Sequence, residues 1–555
     1  MSLRKAWKSC ANVLGVGALC LVAASCASPG WTEAPVPYIG PAQPDPERQS
    51  TGSIARPSTS RSSIPATQTP APPDGALEIT VGDAILLALE NNPALSVERL
   101  TPLIRETVEG EERAVFDPTL QAGASASRER VRAPSRTTGA ITDTRTSRTE
   151  ASLGISEFFP TGTDVSIALT TDRDWSMLYS DQHATRVGFT VTQALMRGAG
   201  LEVNLASLRQ ARLDSLSSRY ELRGFAEALV ADVETTYWNH ALARRRIDIF
   251  EQSLELAEKQ FAETRERVEV GTLAETELAA AQAEMALRKE ALIDARSNLA
   301  AIRLRLVRLL GVPGDGLWER DVVLKNEPAV PDAKLDDVDA HIAVAQRMRT
   351  DLNQARLSAQ RGDLELVKTK NGLLPQMDLF ISLGKTGYAD SFGASVRGLD
   401  AESYDVSAGI DLEFPVGNRR AQSRHRRAVL TRGQIEQSIQ NLNQLVQMDV
   451  RSAYIEVHRA SEQIAATEAT RRFQEEKLRA ETEKFRVGKS TSLLVAQAQR
   501  DLVDSRISEI QAVVNYLNSL VDLFRLEGSL LERRGISAPG REPAPMPSAP
   551  DRPID

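Results

Sequence analysis

RVEVGTLAETELAAAQAE at residues 267–284 and KFRVGKSTSLLVAQAQRDL at residues 484–502 decide the fold. Each sets a Val-Gly pair between two long stretches of helix-forming sequence. Gly271 and Gly488 each break a heptad run and supply the left-handed residue that a tight reversal needs. Upstream of the first, Ile247, Phe250, Leu254, Ala257, Phe261, Thr264 and Val268 step by 3, 4, 3, 4, 3, 4. That is a coiled-coil seam of small and mixed residues. The pattern predicts long helices over about 200–268 and 275–310, then 418–485 and 492–530. A helix of more than sixty residues spans roughly 100 Å, too long for a globular domain.

The two motifs stand 217 residues apart, and so do Tyr237 and Tyr454, Leu309 and Leu526, Gly311 and Gly528. At an offset of 257, Ile85 meets Ile342, Ala88 meets Ala345, Leu95 meets Leu352 and Pro118 meets Pro375. Two constant offsets predict an internal duplication. Each half reads helix (about 81–114, then 336–370), strands, long helix, long helix. The offset falls by 40 between Pro118 and Tyr237, so the first half carries about that many extra residues. They belong to a strand-rich segment, 76 residues from Pro118 to Ala194 against 40 from Pro375 to Pro415.

Strands are read from period-2 alternation. Tyr404, Val406, Ala408, Ile410, Leu412 and Phe414 alternate with Asp405, Ser407, Gly409, Asp411 and Glu413. Eleven such residues match a tilted membrane strand, and equally a soluble sheet with one wet face. Met377, Leu379, Ile381 and Leu383 repeat the pattern, as do Val165, Ile167 and Leu169, and Val187, Phe189 and Val191. Four or five strands from one chain cannot close a pore, so a membrane reading requires an oligomer.

Composition narrows the classes. The chain has 555 residues, 5% aromatic and 26% charged, which suits long helices better than large compact cores. A net charge of −8 disfavours a nucleic-acid partner. Five scattered histidines and three cysteines offer no metal ligand set. Arg4, Lys5 and Lys8 precede an apolar run from Ala11 to Ala24, which reads as a signal peptide over residues 1–25. Val22-Ala23-Ala24-Ser25-Cys26 resembles a lipobox, departing at Ala23 where leucine is usual. Lipidation at Cys26 is expected, with ordinary cleavage near Cys26-Ala27 as the alternative. Residues 26–76 read as a Pro/Ser/Thr-rich linker and 536–555 as a Pro-rich disordered tail.

The motifs ITVGDAILLALENNPAL (79–95), FDPTL (116–120), TQALMRGAGLEVNLA (192–206), RLLGVP (308–313), LLPQMDL (373–379) and FPVGN (414–418), with the two reversals, resemble the TolC-like outer-membrane efflux protein family. The resemblance covers about 77–535, and departs at Ala194 where the family often has proline. It implies a fold of mixed helix and membrane strand, with two structural repeats per chain (77–311 and 336–535) joined by a belt segment (312–335). It further implies a homotrimer in which each chain gives four strands to a 12-stranded barrel, continuous with a periplasmic coiled-coil barrel of twelve helices. The extra strands near 149–172 are then expected as an extracellular hairpin or an elaborated loop, the hairpin being favoured, with their place inside or outside the barrel left open.

The family also implies roles for the reversals. Val270, Gly271, Thr272 and Leu273, with Val487, Gly488, Lys489 and Ser490, would be periplasmic tips that meet an adaptor protein. The gate would involve Phe485, Leu494, Gln497 and Glu277. The family's best-known gate carries aspartates where this chain has Leu494 and Gln497, so an apolar, dewetting constriction is expected instead. GKST at 488–491 lacks the upstream glycine and strand of a phosphate loop, since Glu483 stands there. No nucleophile–base pair is found, and His240, His458 and Trp238 read as packing or surface residues. The expectation is a non-enzymatic exit duct in the outer membrane of a Gram-negative-type bacterium. It would be lipid-anchored, without cofactor, metal or nucleic acid, and would serve a periplasmic adaptor and an inner-membrane pump. The alternative is a coiled-coil structural lipoprotein without channel activity.

Overall fold

The computed structural model describes residues 77–134, 139–176, 179–312, 317–331, 335–538, 540 and 542–544. Cys26, the signal segment and the linker lie outside the described residues.

The chain enters through β1 (Leu77–Ile79) and α1 (Val81–Asn91). Thr80 caps α1 reciprocally: its hydroxyl accepts from Asp83 N at 3.2 Å, and Asp83 accepts from Thr80 N at 3.0 Å. The first helix is not continuous to residue 114 as expected. Asn92 leaves helical geometry ahead of Pro93 and caps α2 (Pro93–Glu98), followed by α3 (Leu100–Arg113). Its counterpart also divides, at Arg349, into α7 (Val338–Met348) and α8 (Thr350–Asn371), as given below.

Four strands follow α3: β2 (Thr119–Pro134), β3 (Ile141–Phe159), β4 (Thr163–Ser176) and β5 (Tyr179–Ala194). A short α4 (Leu201–Asn204) leads into α5 (Ala206–Glu269) and α6 (Glu275–Leu310). Next come β6 (Val322–Leu324), α7 and α8. The second half then gives β7 (Gln376–Ala389), α9 (Phe392–Arg397), β8 (Tyr404–Glu413), α10 (Arg419–Arg486), α11 (Ser492–Leu526) and α12 (Leu530–Arg533).

The strands form one antiparallel sheet in the order β2-β3-β4-β5-β7-β8. This corrects the expected four strands per chain to six. The surplus residues of the first half are not a separate extracellular hairpin; β3 and β4 sit inside the sheet between β2 and β5. The long helices and the short helices before β2 and β7 all meet one end of the sheet, which also bears the β3–β4 turn, while α9 joins β7 to β8 at the other end.

Beside the helices, β1 pairs in parallel with β6, Leu77 opposite Val322. This strand pair covers a core of Ile79, Ile85, Ala88, Leu95, Leu229, Val233, Tyr237, Leu306 and Leu310. Tyr237 is fully buried, and its hydroxyl donates to Ile79 O at 3.1 Å and accepts from Asn326 N at 3.2 Å. A second core joins Ile342 and Ala345 of α7 to Val446, Val450, Val457, Leu520 and Leu523. Positions related by the two offsets behave alike. Ile85, Ala88 and Leu95 are buried, as are Ile342, Ala345 and Leu352. Gly311 and Gly528 both have positive φ, and a side chain on either would strike the end of the preceding short helix, at Asn91 or at Met348–Arg349.

A few described residues of the expected disordered tail (536–555) are held against the helices. Gly540, Glu542 and Ala544 contact α5 and α8: Arg223 donates to Gly540 O at 3.4 Å, Ala544 N to Asn353 Oδ1 at 3.1 Å, and the Tyr220 hydroxyl to Glu542 O. Ala544 is buried against Tyr220 and Leu357. Low hydropathy suggested disorder; backbone hydrogen bonds to side chains of α5 and α8 hold these residues instead.

Candidate functional site

Two regions of the molecule carry functional geometry, one at each end of the long helices. The first is the sheet. Successive side chains alternate between its faces, and the register fixes what lies on each. Leu120 faces Ile155, Ile155 faces Ile167, Ile167 faces Phe189, Phe189 faces Leu383 and Leu383 faces Val406. Leu379 with Ile410 and Met377 with Leu412 continue the row toward the helical end. One face is therefore an apolar band across all six strands, and its large side chains are exposed. Exposed apolar area of this extent marks contact with lipid or protein.

The opposite face is small and polar, with Ser125, Ser152, Ser166, Thr190, Ser382 and Ser407 along the same rows. There Arg186 reaches over Gly384 to Asp405 at 2.6 Å, crossing a strand that carries no side chain at that point. Asp405, Ser407, Asp411 and Glu413 fall on this face and Val406, Ile410 and Leu412 on the apolar one, as the alternation predicted. Beyond the band, β2 and β3 become charged, with Arg130 paired to Asp143 and Arg148 bonded to Asp174 at 2.9 Å.

The second region is the pair of helical reversals. Gly271 has φ +79° and Gly488 φ +74°. Both close with the same hydrogen bonds. Gly271 N donates to Val268 O at 2.9 Å and Thr272 N to Arg267 O at 2.8 Å. Gly488 N donates to Phe485 O at 3.1 Å and Lys489 N to Lys484 O at 2.8 Å. These satisfy the last carbonyls of α5 and α10 in the Schellman manner. Val270 and Val487 stand exposed beside them, with Thr272 and Lys489 also exposed and Leu273 and Ser490 half-buried.

The two tips touch. The Arg267 guanidinium lies 5.9 Å from the centre of the Phe485 ring, and the Ser492 hydroxyl donates to Glu277. Of the four expected gate residues, Phe485 and Glu277 are thus joined to the facing hairpin. Leu494 and Gln497 are exposed on one stripe of α11, beside the stripe of the buried Val495, Ala498 and Leu502. Above the tips the predicted seam is present, Ile247 packing on Leu292 and Ala295 with Phe250 and Leu254 beside them. The second hairpin is laced by ion pairs, Lys477–Asp501 at 2.6 Å and Arg471–Glu509 at 2.7 Å.

Sequence reasoning missed a buried polar cluster near the upper part of α5. Arg223 is fully buried and holds Glu227 at 3.1 Å, Glu532 at 2.8 Å and the Gly528 carbonyl at 2.9 Å. Burial pushes the Glu227 carboxyl up to about 7, against the pull of Arg223. His341 and Glu527 form another buried pair. The interval of four between Arg223 and Glu227 was a visible signal, but charge at that spacing normally reads as a solvated face. His240 is buried as well, not at the surface; desolvation, with Arg244 and Arg303 nearby, holds its imidazole down at about 4. His458 is exposed and edges against Tyr454, and Trp238 packs edge-on to Tyr237. Among the described residues no group of histidine, cysteine and carboxylate side chains could hold a metal, and no helix is long and apolar enough to cross a membrane.

Known proteins match this arrangement. The chain is 24% identical over 318 residues to the outer membrane protein TolC of Escherichia coli, covering 55% of this chain and 62% of TolC. It is 23% identical over 292 residues to nodulation protein T of Rhizobium leguminosarum, covering 52% of this chain and 60% of that protein. The aligned part is thus less than two thirds of either relative. The fold is similar to that of the CmeC outer membrane channel of Campylobacter jejuni, with a TM-score of 0.61 and 15% identity over 81% of this chain and 86% of CmeC. Residues 84–312 and 342–529 match the profile of the family described as outer membrane efflux protein. With three quarters of its length inside that profile, the chain belongs to the outer membrane efflux protein family.

Proposed function

We propose that the protein is the outer-membrane exit duct of a tripartite efflux pump or type I secretion system, conducting substrates passively to the exterior. The observation that carries this reading is an antiparallel sheet with one apolar face and two unpaired edges, mounted on helices of 64 and 68 residues. In a bilayer both edges must be paired, and one chain cannot do that. Three copies would close the wall and bring twelve long helices into a tunnel roughly 100 Å long. Each chain would contribute two structural repeats. The apolar band would face lipid and the polar face the lumen. Acyl chains on Cys26 would add an anchor, at about 0.8 kcal/mol per buried methylene.

The paired tips would meet the hairpins of a periplasmic adaptor, offering Val270, Thr272, Val487 and Lys489. Leu494 and Gln497, uncovered within the chain, would line the constriction, where a ring of leucines closes by packing and dewetting. Energy would come from the inner-membrane partner. The test is single-channel conductance of the purified protein in planar bilayers, with its mass in detergent taken on the same sample. A trimer of small conductance that rises several-fold in Leu494→Ser is expected. No conductance from a monomer would sink the duct.

A further inference from the structure

We propose that three copies of this chain close an eighteen-stranded barrel, in which β3 and β4 are wall strands like the rest. The inference rests on the trimeric reading above and goes beyond it in the size and construction of the wall.

Four observations lead there. The first is continuity. β3 pairs with β2 from Thr119–Ser156 to Pro134–Ile141, and with β4 from Phe159–Thr163 to Thr146–Ser176. β4 in turn pairs with β5 from Thr163 to Ser176. A wall of four strands per chain would have to break two of these three ladders, β2–β3 and β4–β5, and join β2 to β5 directly. The second is the apolar band, which crosses β3 and β4 at the same level as their neighbours through Leu153, Ile155, Ile167 and Leu169. A hairpin projecting into water has no use for that row.

The third is the β3–β4 turn, which is fastened to the helical end of the sheet. Asn204 Nδ2 donates to Pro160 O at 3.0 Å and to Gly198 O at 2.8 Å. Gly200 N donates to Thr161 O at 3.2 Å and Ala194 N to Gly162 O at 2.9 Å. Gly162 has φ +87°, and a Cβ there would lie 2.4 Å from Gly198 O. Only glycine fits, and the turn is locked into the rim from which α5 starts.

The fourth is the pair of edges. β2 runs away from the helices and β8 runs back toward them, so the free edge of β8 meets the free edge of β2 in a second copy antiparallel. Both edges carry the band, at Leu120 and Ala122 and at Val406 and Ile410. Size agrees as well. Eighteen strands spaced about 4.8 Å and tilted about 40° make a barrel about 36 Å across, against about 24 Å for twelve. Twelve helices packed 8–10 Å apart make a ring of about 34 Å. The wider barrel therefore sits on the helical ring without a step. Its cross-section is about twofold that of a twelve-stranded wall. The outer mouth admits bulkier solutes, while the constriction stays at the tips.

The experiment is electron cryo-microscopy of the full chain purified in detergent, with the strands of the barrel counted. Eighteen strands are expected. A trimer with twelve wall strands and β3–β4 outside them overturns this proposal and leaves the duct intact; a chain that forms no trimer overturns both. A deletion of residues 135–178, which joins β2 to β5, supplies a second readout. Neutral polyethylene glycols added from the outer side should then be excluded at a radius about 1.5-fold smaller than in the unmodified trimer. An unchanged cut-off overturns the proposal. If the deletion variant does not assemble, the strand count on the unmodified chain decides.

Discussion

α5 and α10 are nearly equal in length and stand at the same place in the two halves, yet α5 buries 23 of its residues and α10 only five. α5 is the inner spine of the chain, packed by α1, α3, α8 and α11. α10 keeps Val446, Val450, Val457 and Ala460 inward and turns Leu430, Met448, Ile455 and Phe473 to the outside. Ile455 and Phe473 are each 67% exposed. The difference teaches that one helix holds the subunit together, while the other keeps an apolar face uncovered that a second copy would finish in the proposed trimer. Burying such side chains would be worth about 1.5–3 kcal/mol each at every interface of that trimer.

The comparison is broken most severely on α10. Met448→Lys with Ile455→Lys is expected to abolish the trimer, reducing the mass in detergent from three chains to one while helical circular dichroism is retained. A surviving trimer would mean that this face points elsewhere. On α5 the largest effect is expected at Arg223→Ala, which leaves Glu227 and the Gly528 carbonyl buried without their donor. It should cost about 3–5 kcal/mol and lower Tm, read by calorimetry, without altering the mass.

A smaller effect distinguishes the buried helix by pH. His240 is held near 4 when folded and returns to about 6.5 when unfolded, so the unfolded chain takes up the proton first. The stability this provides is complete above pH 6.5 and is lost as pH falls toward 4, about 2 kcal/mol by pH 5. Denaturant midpoints measured at pH 7 and pH 5 should separate, and His240→Asn should narrow that gap. The smallest effect belongs to the tips, remote from both cores. Gly271→Val or Gly488→Val forces a branched residue to positive φ at about 1–2 kcal/mol. Limited proteolysis should accelerate near the altered tip only, with trimer mass and Tm unmoved.

Much of this was legible in the sequence because it is written in periods. The seam from Ile247 to Val268, the two Val-Gly reversals and the 217 offset linking Gly311 to Gly528 all depend on spacing, and the structure keeps each. The alternation in β7 and β8 was equally plain, since large apolar residues mark every second place. The strand count was not. In β2 the band is carried by Leu120, Ala122, Ala124 and Ala126, too small to stand out, and further along it gives way to Arg128, Glu129, Arg130 and Arg132. Which side of a polar ladder faces lipid is then decided by the neighbouring strands. The Arg223 cluster and the contacts of Gly540, Glu542 and Ala544 were hidden for another reason. Their partners are some 300 residues away, and local composition says only that they are polar.

The two reversals satisfy their own backbone groups, so nothing around Gly271 or Gly488 is needed to hold them closed. Folding asks for one glycine at each, helped at the first by the Thr272 hydroxyl on Arg267 O, and leaves the side chains of Val270 and Val487 exposed and uncommitted. If the tips dock an adaptor as proposed, a lineage could rewrite what they recognise without re-solving the problem of how the chain folds.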